Sequence, residues 1–170
     1  RAGFLGIAEV LLEKGANPNA PSPRQKDYTA DNVNLGVPLN AALNLDRLDL
    51  VRLLLGKGAN PNSRDEGQEV PRDSGNPPLR FAASIDAVRL MLSKGANPNL
   101  PYRDGTTRLH AAAQKGDLEL MDVLLGAGAL PDGVTNAAVS SLTPVAVAVQ
   151  AGQLEAAEKL LKHGASIDRL

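Results

Sequence analysis

Any catalytic chemistry in this chain would have to begin with its two histidines, His110 and His163. His110 stands in Thr107-Arg108-Leu109-His110, with no Ser, Cys or carboxylate pattern around it. A catalytic imidazole needs a nucleophile to activate and an acid to orient it, and neither is supplied. His163 falls at the end of a helical run, where a cation is mildly favoured by the helix dipole. Asp65, Glu66, Glu69 and Asp73 read as a solvated loop rather than a metal cage. Gly126-Ala127-Gly128-Ala129 is glycine-rich but closes a helix, whereas a phosphate loop leads from a strand into a helix start. With no cysteine, a disulfide framework and a Cys-ligated zinc are both excluded. The sequence therefore predicts no catalytic residue, no metal site and no cofactor.

The elements that would position any functional residue follow from composition. Ala and Leu supply 52 of the 170 residues, while Phe4, Tyr28, Phe81 and Tyr102 are the whole aromatic inventory. A layered domain of this length would fill its core with large rings. Small and medium aliphatics suit closely stacked helices instead. The net charge of −1 offers no electrostatic ground for binding nucleic acid or an anionic membrane. No apolar run approaches the roughly 18 residues of a membrane span, and no signal-peptide pattern opens the chain.

Self-comparison reveals internal repeats. Val10 to Asn19, Leu53 to Asn62, Leu90 to Asn99, Val123 to Asp132 and Lys159 to Asp168 align. Each runs from a helical apolar pair into Gly-Ala and then a turn of the Asn-Pro-Asn kind, as in Gly15-Ala16-Asn17-Pro18-Asn19. The glycines at 15, 58, 95, 128 and 164 are spaced by 43, 37, 33 and 36 residues. A second element precedes the last four: Val37-Pro38-Leu39-Asn40-Ala41-Ala42, Pro77 to Ala83, Thr107 to Ala113, and Thr143-Pro144-Val145-Ala146-Val147-Ala148. Thr143 can cap a helix start, and Pro144 loses nothing at a first helical position, where its N–H would have no partner. The glycines fall where a second helix must stop in a left-handed conformation. Leu48, Val51, Leu54 and Leu55, like Leu118, Met121, Leu124 and Leu125, share a helix face. Pro144 to Val149 alternates like a strand, but its register with the other repeats predicts helix.

Across the whole chain these residues resemble the ankyrin repeat, with its early Thr-Pro-Leu-His and late Gly-Ala-Asp pattern. The resemblance implies an all-α solenoid of stacked helix-turn-helix units joined by hairpin-like fingers. Residues 1–170 form a single domain on this reading: a half repeat over 1–15, repeats over 16–58, 59–95, 96–128 and 129–164, and the start of a further finger over 165–170. Both ends lack the polar caps a solenoid needs, so a fragment of a larger protein, monomeric as it stands, is expected.

Departures from regularity carry the functional expectations. The fingers over 20–36 and 63–76 are ten and seven residues longer than the regular one, and solenoid insertions often collect on the binding face. Long surface loops also cost little closure entropy, so tolerated slack is the preferred reading of these fingers and binding the alternative. The third repeat lacks three residues around Ser84-Ile85-Asp86, and Val37 and Pro77 replace a hydroxyl cap, so the middle of the chain is expected to be the least regular part. The resemblance assigns His110 a hydrogen bond to the neighbouring unit. It also places the fingers and first helices along a concave groove, which the residue after the His slot faces: Ala41, Phe81, Ala111 and Val147. Binding energy concentrates in aromatic and Arg anchors. The protein-binding residues are therefore expected to be Tyr28, Phe81, Tyr102 and Arg103, with Arg24, Arg80 and Gln114 beside them. Filling the gap left by the deleted turn is the alternative for Phe81.

The function these residues and the resemblance imply is a non-catalytic protein–protein interaction module taking a protein or peptide partner. Nucleic acid and membrane are not expected partners, and the compartment implied is cytoplasm or nucleus. The alternative is a substrate-recruiting or regulatory domain of a larger enzyme or secreted effector. Asn19, Asn62 and Asn99 also resemble turn asparagines that an asparaginyl hydroxylase modifies in ankyrin domains, although the turn itself accounts for them.

Overall fold

The computed structural model describes residues 2–20, 37–64, 75–133 and 142–169. Its helices in chain order are α1 (Ala2–Glu13), α2 (Pro38–Asn44), α3 (Leu48–Gly56), α4 (Ile85–Ser93), α5 (Arg108–Lys115), α6 (Leu118–Gly126), α7 (Pro144–Gln150) and α8 (Leu154–Lys162). Short 3-10 turns occupy Pro78–Phe81 and Ile167–Arg169. Among the described residues there is no strand. The Val-Ala alternation after Pro144 is helical, as repeat register requires: Thr143 adopts extended backbone and its side chain accepts from Ala146 N.

The chain forms two compact units, Arg1–Ala96 and Asn97–Leu170. In the first, α2 packs on α3 and on the Pro78–Phe81 turn, while α3 packs on α1 and α4. Leu39, Leu43, Val51, Leu54, Leu79, Val88 and Met91 are its buried side chains of greatest size. In the second, α5 packs on α6 and α7, and α8 on α6 and α7. Leu109, Met121, Leu124, Val145 and Leu160 fill that core between the alanines Ala112, Ala113 and Ala148. Alanine at the contacts is what lets the helix pairs approach closely, and it accounts for a chain that folds with four aromatics.

Each second helix ends by the same device. Gly15, Gly58, Gly95, Gly128 and Gly164 have φ between 84° and 90°. The following alanine N–H reaches back five residues, as from Ala59 to Leu54 O (2.9 Å), Ala129 to Leu124 O (2.9 Å) and Ala165 to Leu160 O (3.1 Å). This is the Schellman arrangement, which satisfies carbonyls that the helix leaves open.

The irregular third repeat takes a specific form. Pro77 and Pro78 open a single 3-10 turn where the other repeats have a first helix, and α4 begins four residues after it ends. With the connecting residues missing, Ser84 serves two roles: its Oγ accepts from Ala87 N (3.2 Å) to cap α4, and donates to Asp46 Oδ1. Asp46 holds a left-handed φ of 51°, in the slot that Gly116 and Gly152 fill elsewhere.

Candidate functional site

The candidate site is built from the first helices and the fingers that lead into them. In α5, Leu109, His110, Ala112 and Ala113 are buried, while Arg108 and Ala111 are half-buried and Gln114 and Lys115 exposed. At 100° per residue these two sets occupy opposite sides of the helix. Helix α7 repeats the pattern: Val145, Ala146 and Ala148 are buried, Val147 is half-buried, and Gln150 and Ala151 are exposed. In the first unit, Ala41 and Phe81 are half-buried beside buried Ala42 and Ala82. The residue after the His slot is therefore partly accessible in all four repeats.

His110 organises the start of α5. Its Nδ1 accepts from Thr107 N (2.9 Å) and lies 2.9 Å from Thr107 Oγ1, so a histidine closes the capping box that Glu or Gln usually completes. Because Nδ1 accepts, Nε2 carries the proton and donates to Leu142 O (3.0 Å), one residue before the cap of α7. Burial pushes the imidazole below its ordinary value, against the opposing pull of the Leu142 bond and the Asp104 charge. Both nitrogens of this ring serve structure. His163 is exposed at the end of α8, with Nδ1 2.9 Å from Lys159 O.

The finger over residues 101–106 is a closed turn. Tyr102 N donates to Thr106 O (2.7 Å), Gly105 N to Tyr102 O (3.0 Å), and Asp104 Oδ1 receives both Thr106 N (2.9 Å) and Thr106 Oγ1 (2.6 Å). This folds Tyr102 inward, leaving it 6% exposed. The expectation that Tyr102 offers its ring as a surface anchor is corrected: the side chain is buried, and the exposed residues of this finger are Arg103 and Asp104. Of the other expected contacts, Arg80 and Gln114 are exposed and Phe81 is half-buried, whereas Arg24 and Tyr28 lie outside the described residues. Phe81 and Arg80 belong to the first unit and Arg103 and Gln114 to the second. Sequence reading passed over Arg108, Lys115 and Gln150; their spacing of −2, +5 and, in the next repeat, +4 from the His slot is the signal that finds them.

Asn19, Asn62 and Asn99 form staples between successive turns. Their amide nitrogens donate to Gly58 O (3.0 Å), Gly95 O (2.9 Å) and Gly128 O (2.9 Å), the carbonyl of the next terminating glycine. Asn19 Oδ1 accepts from Asn60 N (2.7 Å) and Asn99 Oδ1 from Leu130 N (2.8 Å). Asp132 occupies the same slot and accepts from Ser166 N (2.7 Å), but a carboxylate has no N–H to return.

Among the described residues, no group of three or more His, Cys, Asp or Glu side chains could hold a metal ion, and no helix is long and apolar enough to cross a membrane. A family model described as ankyrin repeats (3 copies) matches residues 79–170, and one described as ankyrin repeat matches residues 37–66. The chain belongs to the ankyrin repeat family, and its fold class is the all-α ankyrin type. No curated protein matches it. Ankyrin repeats are generally protein–protein interaction modules and are typically non-catalytic.

Proposed function

We propose that this chain binds a partner protein or peptide through its fingers and the non-core sides of its first helices, and that it carries no catalysis of its own. The observation that supports this reading most is the repeated half-exposure of Ala41, Phe81, Ala111 and Val147 among buried neighbours. The small side chains of Ala41, Ala111 and Val147 leave room for a partner to approach the helix backbone, and Arg80, Arg103 and Gln114 are exposed nearby. Arg103 suits an anchor because its guanidinium combines charge, planarity and five donors. Arg24 and Tyr28, outside the described residues, are proposed as further contacts on the basis of the sequence alone.

Site-specific photo-cross-linking tests this. Benzoylphenylalanine placed at 111 or 147 is expected to capture a protein partner from cells, and the same group at 119 or 158 is not. Capture from 119 and 158 alone would move the binding face to the second helices.

A further inference from the structure

Charge in the unit of residues 97–170 is segregated by face. The 101–106 finger and α5 carry Arg103, Arg108 and Lys115 against Asp104 alone, and α7 carries no ionisable side chain. The sequence between Gly133 and Leu142 is also uncharged. Asp104 is the one anion among residues 101–115 and 142–151; it is exposed, and its Oδ1 accepts both Thr106 bonds. The second helices have the opposite balance. Asp117 at the α6 cap, Glu119, Asp122, Glu155 and Glu158 face only Lys159 and Lys162, and Lys159 is paired with Asp122 at 2.5 Å.

The basic residues are not scattered. Arg108, Ala111 and Lys115 follow one another at i, i+3 and i+7 on the non-core side of α5, with Gln114 beside them. Val147, Gln150 and Ala151 form the matching row at the same register of α7, which packs against α5. Two rows of small or amide side chains thus lie beside cations on α5 and on the finger that leads into it. Amides can pair with an extended backbone, and small side chains admit apolar residues without a deep pocket.

We infer that this face takes an acidic peptide segment, its carboxylates meeting Arg103, Arg108 and Lys115 and its small apolar residues lying over Ala111 and Val147. The inference rests on the proposed interaction function and adds the chemical class of the partner. Segregated charge of this kind steers association and rejects like-charged partners more than it adds bulk affinity. The acidic second helices would repel the same segment, so the two faces act together to set its orientation.

Selection from an unbiased random-peptide display library against the whole chain tests it, followed by fluorescence anisotropy with the enriched peptides. The expected result is enrichment of peptides rich in Asp and Glu. Their affinity should fall by about tenfold or more in the Arg103→Glu/Lys115→Glu variant and on raising salt from about 50 to about 300 mM. A Glu119→Lys/Glu158→Lys control should weaken them by no more than about twofold, with circular dichroism confirming that both variants fold. Enrichment of neutral or basic peptides that still cross-link at 111 would overturn the acidic class while leaving the interaction reading intact. Failure to enrich any binding peptide, together with no cross-link at 111 or 147, would overturn both.

Discussion

Gly133 lies so close to the His110 imidazole that a Cβ at position 133 would come within 2.5 Å of His110 Cε1 and 3.0 Å of Nε2. The same glycine holds φ at 70°, and its N–H donates to Leu130 O at 2.9 Å. The same ring donates from Nε2 to Leu142 O at 3.0 Å, so it lies against the Gly133 backbone while it joins α5 to the residue before the cap of α7. Gly128→Ala provides a control, because Gly128 also has a positive φ, at 84°, but a Cβ there would lie in open space.

Gly133→Ala should therefore destabilise the fold by about 1–3 kcal/mol more than Gly128→Ala, the excess reflecting the clash rather than the dihedral. Urea denaturation of both variants measures it. Equal losses would mean that the His110 ring moves aside at no cost.

The depressed value of buried His110 makes stability pH-dependent in a defined direction. Above the ordinary value of about 6.5 the folded and unfolded chains both hold a neutral ring, and the full contribution is present. Below it the unfolded chain binds a proton that the folded one resists, so stability falls as pH drops through the folded value. Protonation would also remove the acceptor for Thr107 N. The wild type should lose stability more steeply than His110→Gln between about pH 7 and about pH 5. Asp49, lowered to about 2 by its Arg47 hydrogen bonds, titrates below this window. Parallel slopes for the two proteins would contradict the assignment.

Much of this fold was legible because its signals are local. Glycine after an apolar helical pair marks each stop, and Thr143-Pro144 marks a start, whatever surrounds them. The third repeat was legible only in part. The missing residues around Ser84 foretold irregularity, yet whether Pro78–Phe81 would close as α or 3-10 depends on its packing with α2. The double role of Ser84 depends on Asp46, 38 residues away. Tyr102 was misread for a similar reason: an aromatic in a finger looks exposed until the Thr106 bonds that close the turn are known. The site's register was readable from the His slot, but the charge segregation between the faces emerged only with the helix pairing.

The asparagine staples should be worth more than their surface position suggests, since Asn19 and Asn99 each hold two backbone groups of the next turn. Asn99→Ala removes bonds to both Gly128 O and Leu130 N, and should cost about 1–2 kcal/mol in thermal or urea unfolding. A loss within about 0.3 kcal/mol of zero would show that water replaces the amide without penalty.

Phe81 separates packing from recognition. A fully buried Phe would cost about 3–5 kcal/mol on truncation to Ala, but this ring is half-buried on a 3-10 turn. Phe81→Ala should lose less than that range while weakening partner binding by about 2 kcal/mol. Full core-like destabilisation with unchanged affinity would make it a filler of the shortened repeat.

Hydrogen exchange of the chain in complex with a cross-linked or display-selected partner bears most directly on the claim that the finger and first-helix face is the binding surface. The account predicts that exchange slows on binding in peptides covering residues 101–115 and 142–151, and stays unchanged in those covering α6 and α8. Protection confined to α6 and α8, with 101–115 and 142–151 unaffected, would contradict it.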